Sequence, residues 1–331
     1  MTESPPTLRT IAALSGLAVP TVSRALGDAP DISLATKARV QEIARKIGYV
    51  PNRAGVRLRT GRTNVIGMVL APEHDVMNMT ATLIAAVAEH LRLNAYHLNV
   101  TPDFADDDPL KAIRYLVETR SVDAVIFNRT KPEDVRVRYL MERRFPFVTH
   151  GRTLWSDRHA WIDFDNEAFG ASAVDALFSA GRRDLLVILP PMDQTYAGHI
   201  RDGVFGRAAE LGVSTRIADT ITSDSPREDV AAGIRRVLAA APGLDGLICP
   251  SPNATMAAIT AFEAAGRAVG REIDVVAKET VTFLGMFRPA IMTVREDVGH
   301  AGHLLAEGAL EAVRSPDAAP VQRLDSASAP T

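Results

Sequence analysis

Residues 14–62 read LSGLAVPTVSRALGDAPDISLATKARVQEIARKIGYVPNRAGVRLRTGR, and the stretch changes character twice. Short helical pieces come first, a longer basic helix follows, and an Arg-rich segment interrupted by Gly55 closes it. Thr7 supplies an N-cap for a helix over Leu8–Ser15, with Leu8, Ile11 and Ala12 on one face. Gly16 ends that helix and Leu17 fills the turn. A second helix runs over Val19–Leu26, with Pro20 tolerated in its first turn, where no backbone donor is needed. Two short helices joined at a glycine predict a helix-turn-helix. Val22 and Leu26 point inward, leaving Val19, Pro20, Thr21, Ser23 and Arg24 to face outward. A third helix over 34–47, capped by Ser33 and stopped by Gly48, closes the small core with Val40, Ile43, Ala44 and Ile47.

The charge distribution gives this head a partner. Residues 1–62 carry ten Lys and Arg against four acids, a surplus of six positive charges. The whole chain is −3, so the remaining body carries −9. A small basic head on an acidic body is the footprint of a domain that meets phosphates, and a solvated charged surface is the alternative. The chain has 331 residues, 47% hydrophobic and 23% charged, enough for two or three globular units with sizeable cores. The single cysteine, Cys249, has no intramolecular partner, and Met1 is followed by the polar TESPPT rather than a leader pattern. A cytoplasmic location is the expectation, with no membrane partner, because no run of about 18 apolar residues occurs.

From Asn64 onward apolar strands alternate with amphipathic helices: NVIGMVL, AYHLNV, AVIFN, FPFVTHG and WIDFD, then LLVILP, RIADTI, GLICPS, IDVVAK and IMTVRE. Such alternation predicts parallel sheets covered by helices on both faces. The number of units predicts two lobes. The first is expected over about 63–162 plus 293–315, the second over about 163–292. Ligands of open α/β sheets sit at the carboxyl ends of strands. Asn128, His150, Arg152, Asp165, Asn166, Asn253, Lys278 and Glu279 stand at such ends. Amides, a carboxylate and a guanidinium around a cleft suit vicinal hydroxyls, so a mono- or oligosaccharide is the expected ligand.

TVSRAL at 21–26, GYVPNRAGVRLRTGRTNVIGMV at 48–69 and the spacing between them resemble the LacI/GalR (lactose-repressor) family of bacterial transcription regulators. The likeness continues more weakly to about residue 313. It implies an all-α helix-turn-helix head over 1–50, a hinge over 51–62, and a two-lobed α/β body over 63–315, with Rossmann-like lobes similar to type I periplasmic binding proteins. It implies a homodimer on a pseudo-palindromic double-stranded DNA operator with a central CG, a repressor whose grip is set by an effector between the lobes, and no enzymatic activity. Thr7, Thr21 and Arg24 match positions that touch DNA, while Val19 and Pro20 stand where operator choice varies. Ala18 replaces the usual capping Ser. Asn52, Arg53 and Leu58 match the hinge, with Leu58 at the position of a minor-groove wedge. A flexible linker is the alternative there, and Gly55 weakens the hinge helix by roughly 1 kcal/mol.

In the body, Asn128, Arg201, Asn253 and Glu279 match effector-contacting positions, as does His150 where an acid is common. Arg201 lies in IRDGVFGRAAELG, similar to an Arg-x-x-Gly-Phe text of the family. The loop of Glu73, His74 and Asp75 also faces the cleft in the family. VVAKET at 275–280 departs most: Lys278 replaces an aromatic, which fits either a larger oligosaccharide or an anionic effector. Tyr196, Trp155 and Trp161 are candidates to stack on a sugar face or to pack internally.

Other motifs carry less. His300 and His303 lie three apart on the last helix without a third metal ligand, so no metal is expected. Asp106, Asp107 and Asp108 precede a helix start, where negative charge is favoured. No P-loop or Gly-x-Gly-x-x-Gly follows a strand, and no cofactor is expected. A stand-alone sugar-binding protein and an α/β enzyme are the alternative classes. The tail over 316–331, rich in Pro, Ala and Ser, carries no heptad, which predicts disorder and a dimer rather than a tetramer.

Overall fold

The computed structural model describes residues 5–50, 57, 61–71, 79–104, 106–327, 329 and 330. The chain divides into two compact units, Met1–Thr63 and Asn64–Thr331.

In the first unit, α1 (Leu8–Ser15), α2 (Val19–Leu26) and α3 (Leu34–Lys46) surround one small core. Thr7 and Thr10 form a reciprocal capping box at the start of α1, and Gly16 ends it in the left-handed conformation at φ 68°. Ile11, Val22, Ala25 and Val40 are buried to 0% exposure, while Leu26 and Leu17 are only partly covered. Ser33 caps α3, and Gly48, at φ 66°, lets the chain turn so that the Tyr49 N–H donates to the Ala44 carbonyl. Without α3 the first two helices would have nothing to bury their apolar faces against.

The second unit alternates β1 (Val65–Leu70), α4 (Met79–Leu93), β2 (His97–Pro102), α5 (Lys111–Glu118), β3 (Ala124–Phe127), α6 (Val135–Glu142), β4 (Phe147–His150) and β5 (Ala160–Phe164). Then come α7 (Asn166–Ser179), β6 (Asp184–Val187), α8 (Thr195–Leu211), β7 (Ser214–Ile217), α9 (Arg227–Ala240), β8 (Gly246–Cys249), α10 (Pro252–Ala264), β9 (Asp274–Glu279), α11 (Leu284–Phe287) and β10 (Ile291–Arg295). α12 (Val298–Arg314) and β11 (Gln322–Asp325) complete it. Two all-parallel sheets result among the described residues, ordered β11-β5-β4-β3-β1-β2 and β10-β9-β8-β6-β7. Their central strands are buried throughout, as a sheet covered on both faces requires, whereas edge strand β2 is mostly exposed.

Each sheet defines a lobe, and the crossings between the sheets set the lobe boundaries. β5 stays with the first sheet through Phe164, so the chain first crosses at Asp165. β10 pairs with β9 through Arg295, so the return crossing falls at Glu296 and Asp297. The tail corrects the expectation of disorder over 316–331. β11 pairs in parallel with β5, the Trp161 N–H donates to the Val321 carbonyl, and the Gln322 side-chain amide donates to the Ser156 carbonyl at 2.6 Å. The unpaired edge of β5 gives the tail its template, a driving force that Pro/Ala/Ser composition does not reveal. Ala327 then packs against the second lobe's core, making a third crossing.

Candidate functional site

The head presents α2 as its outward element. Val22 and Ala25 hold the helix to the core, and Val19, Pro20 and Arg24 are exposed, with Thr21 and Ser23 half-buried. Arg24 forms an exposed ion pair with Asp31. Ala18 occupies the N-cap with no side-chain hydrogen bond, so the first N–H groups of α2 lack a side-chain partner at the cap. Asn52, Arg53 and Leu58, the expected hinge contacts, and His74 lie outside the described residues.

In the body, a cavity of about 940 Å³ opens between the lobes, within the size range of ligand pockets, roughly 300–1,000 Å³. The first lobe contributes Asn128 and Arg129 after β3, His150 at the end of β4 with Gly151 after it, and Asp163 on β5. The second contributes Tyr196 from the first turn of α8, Asp224 beyond β7, Asn253 from the first turn of α10, and Lys278 on β9. Of the sequence candidates, Asn128, His150, Asn166, Tyr196, Asn253 and Lys278 therefore meet in one place. Asn253 Oδ1 is buried without a hydrogen-bond partner.

Most charged groups of the cleft are paired within the protein; Arg227, exposed at the first position of α9, has no ion pair among the described residues. Lys278 Nζ lies 2.7 Å from Glu296 Oε2 and donates to Asn166 Oδ1 at 3.0 Å. It also sits 4.9 Å from the Phe164 ring centroid and 5.8 Å from that of Tyr196. His150 Nε2 approaches Glu296 Oε1 at 3.8 Å. Burial pushes the Glu296 carboxyl up, but the charges of Lys278 and His150 together outweigh it and hold it below the usual carboxylate range. Arg129 pairs with Asp224 across the cleft, as Lys131 does with Asp193 at 2.7 Å. Glu296 was missed by the sequence reading although it directly follows β10, where the strand-end rule applies equally.

Three expected effector contacts are engaged elsewhere. Arg152 donates from Nε to Asp163 Oδ2 at 2.8 Å and lies 3.2 Å from His199 Nδ1, forming a junction between the lobes behind the cavity wall. Burial drives Asp163 above its ordinary carboxylate range, more strongly than Arg152, His150 and His199 pull it down. Burial and the Arg152 charge lower His199. Arg201 turns away from the cavity and pairs with its neighbour Asp202, at 44% and 56% side-chain exposure. Glu279 is 3% exposed, and its Oε2 accepts from the backbone N–H groups of Phe283 and Leu284 at 3.1 and 2.9 Å. It ties the turn after β9 and is not among the residues that line the cavity. Trp155 and Trp161 do not line the cavity either; the Trp161 Nε1 donates to the Ser156 carbonyl.

These placements separate two substitutions. Glu279→Ala strands two backbone donors and is expected to lower stability by about 2–4 kcal/mol. Arg201→Ala removes an exposed pair and is expected to change stability by less than about 1 kcal/mol. Urea melts of both variants check this; equal losses would mean that the Glu279 cap carries no special weight.

Residues 7–52 match the family described as bacterial regulatory proteins, lacI family, and residues 174–329 match the periplasmic binding protein-like domain. The HTH-type transcriptional regulator AglR of Rhizobium meliloti (strain 1021) is 30% identical over 97% of this chain and 91% of its own length. The chain belongs to the LacI family. The lac repressor dimer bound to operator and an anti-inducer superposes with a TM-score of 0.82 at 18% identity, over 98% of this chain and 97% of that one. The transcriptional regulator CelR in complex with cellobiose gives 0.72 at 22% identity, over 98% of both chains. This LacI-family member is a DNA-binding transcriptional regulator and not an enzyme. Among its described residues no helix is long and apolar enough to cross a membrane.

Proposed function

We propose that this regulator is a repressor, a homodimer on a pseudo-palindromic operator, whose affinity for DNA is set by a neutral saccharide held between the lobes. The largely paired charge of the cleft carries the choice of effector. Lys278 faces Glu296, Arg129 faces Asp224 and Arg288 faces Glu263, so among the described residues the exposed Arg227 is the one lining cation without an ion pair, and an anionic ligand meets mostly balanced charge. What the cleft offers beyond those pairs is amide and hydroxyl chemistry at Asn128, Thr130, Ser223 and Asn253, which suits a polyol. The cellobiose bound to CelR, a structural neighbour, supports the same class.

On DNA, α2 enters the major groove with Thr21, Ser23 and Arg24 as polar contacts and Thr7 at the backbone. Val19 and Pro20 have no side-chain hydrogen bond to offer and read bases by apolar contact. Arg24 exchanges Asp31 for DNA. Asn52, Arg53 and Leu58 supply the minor-groove hinge.

Two measurements test the reading. Binding of the chain to a duplex selected from a random pool should weaken steeply with salt, and deleting residues 1–63 should abolish both affinity and salt slope. Retention of either by residues 64–331 would place the DNA site elsewhere. Thermal shifts against neutral sugars, sugar acids and sugar phosphates should respond to a neutral sugar, by about 2.7 kcal/mol at a hundredfold excess over Kd. A response confined to anionic sugars overturns the neutral class.

A further inference from the structure

We propose that His199 is an acid-released latch between the two lobes: its neutral ring accepts a hydrogen bond from Arg152 of the first lobe, and a proton taken up at Nδ1 breaks that bond and frees the start of α8. The two residues ride with different sheets. Arg152 follows β4 and is tied to β5 through Asp163, while α8 packs Ile200 and Val204 into the core of the second lobe with Leu185 and Val187 of β6. A terminal nitrogen of Arg152 lies 3.2 Å from His199 Nδ1. A guanidinium has donors only, so Nδ1 holds a lone pair and the ring proton sits on Nε2. Four residues earlier, on the same face of the helix, the Thr195 N–H and hydroxyl donate to the Thr130 carbonyl of the first lobe at 2.9 and 3.2 Å. Thr130 in turn donates from Oγ1 to the Arg152 carbonyl at 2.9 Å, which makes the two first-lobe partners one unit. The start of α8 is thereby held at two points.

A proton on Nδ1 removes the acceptor and sets an imidazolium against a guanidinium. With each side chain only 22% exposed, that repulsion outweighs the neutral bonds at Thr130, which do not titrate. Asp163 Oδ2, 3.9 Å from Nδ1, is already engaged by Arg152 Nε and does not replace the lost partner. Asp163, Glu167 and Asp202 favour the proton, but burial and Arg152 outweigh them and hold His199 below its ordinary 6.5. With the lobes apart the ring meets water and its ordinary value returns. A histidine whose pKa is lower in the closed form stabilises that form above the open value and loses the effect as pH falls, so acid below about 6.5 opens the lobes. Two neighbours act in the opposite sense. A proton on His150 strengthens its approach to Glu296, whose N–H is held by the Glu279 carbonyl of β9, and burial raises Asp163, so that protonating it also favours the closed form. Opening in acid is therefore attributable to His199. The more exposed pairs across the cleft, Lys131–Asp193 and Arg129–Asp224, hold no histidine and are screened by salt. Tyr196 lies between the two latch points and lines the cavity, so release withdraws part of the wall of the ligand site. That link to the effector rests on the proposed function; the latch does not.

The test is made on the full chain without small molecules, which separates its failure from failure of the saccharide reading. Cys249 is fully buried and its thiol is pushed up to about 11, so nitroxide labels go to cysteines introduced at exposed Glu118 on α5 and Arg235 on α9. Labelled chain is diluted in unlabelled chain, and pulsed electron resonance reads the distance between the lobes at about pH 8 and about pH 5.5. The parent should give one narrow distribution at the higher pH, and at the lower one it should broaden roughly twofold or move by several ångströms. His199→Gln, which keeps an acceptor and cannot titrate, should give the same distribution at both. His199→Lys sets a charge beside Arg152 and should show the parent's acid distribution already at the higher pH. Circular dichroism verifies that each sample is folded, and where the lysine unfolds the lobe the comparison of parent with His199→Gln still decides. A parent that keeps one distribution at both pH values overturns the proposal, as does a parent-sized response in His199→Gln or a closed distribution in folded His199→Lys.

Discussion

Gly203→Ala is expected to cost at least about 3 kcal/mol and to melt the second lobe well below the parent. Gly203 lies on α8 where that helix crosses α7, and a Cβ placed there would stand 2.0 Å from the Glu167 carbonyl oxygen. The obstacle is backbone, so no side chain can swing aside. Gly170 on α7 makes the reciprocal approach, its Cβ position lying 2.6 Å from the Ile200 carbonyl oxygen. Two glycines therefore let two helices touch backbone to backbone, and the crossing sets where α8 presents Tyr196 to the cleft and His199 to the Arg152 junction. Gly206 is the control on the same helix, since a Cβ there meets nothing within 4 Å. Gly206→Ala should be neutral or stabilising by up to about 1 kcal/mol, because alanine favours the helix. Urea denaturation of the two variants decides the point. Similar stabilities would show that the α7–α8 crossing relaxes freely and that the close approach does not hold the lobe.

What the sequence disclosed follows the range of the forces involved. The head was legible because its signals are local: Thr7 and Ser33 cap, Gly16 and Gly48 turn, and the apolar spacing selects Ile11, Val22 and Val40. The strand-end rule brought Asn128, His150, Asn253 and Lys278 to one cavity because a parallel sheet places all its carboxyl ends together. It failed where a side chain has a nearer partner. Arg152 is taken by Asp163, and Glu279 by a backbone that doubles back four and five residues later. Arg201 was misplaced by motif likeness over helical phase. Five residues beyond Tyr196, it stands about 140° further round α8, away from the cleft. Long-range pairing was least legible of all: nothing local marks the tail as a partner for β5, or Lys278 and Glu296 as partners for one another.

Arg136→Ala is expected to cost about 3 kcal/mol at neutral pH and to loosen the cleft wall of the first lobe. Arg136 is 7% exposed and stacks over Phe127, with its Nε and a terminal nitrogen 3.0 and 2.7 Å from the two oxygens of Asp134. The same guanidinium donates to the carbonyls of Asn128 and Arg129 at 3.2 and 3.0 Å, which fixes the backbone of two cavity residues. Truncation leaves Asp134, itself 2% exposed, as a carboxylate with its main counter-charge gone. In the parent, burial raises the Asp134 pKa, but Arg136 and the N–H groups of Lys131 and Arg136 together hold it below its ordinary 3.8. A depressed carboxylate adds stability above its unfolded value and loses it as pH falls through the folded one. In the variant burial is opposed only by the two N–H bonds, the pKa rises, and protonation relieves the penalty. The gap between parent and variant should therefore be widest near pH 7 and shrink as pH falls toward and below 3.8. Urea melts at neutral and acid pH measure that gap. A penalty that stays constant across the range would mean that Arg136 acts through packing on Phe127 and the two carbonyls, and not through the charge of Asp134.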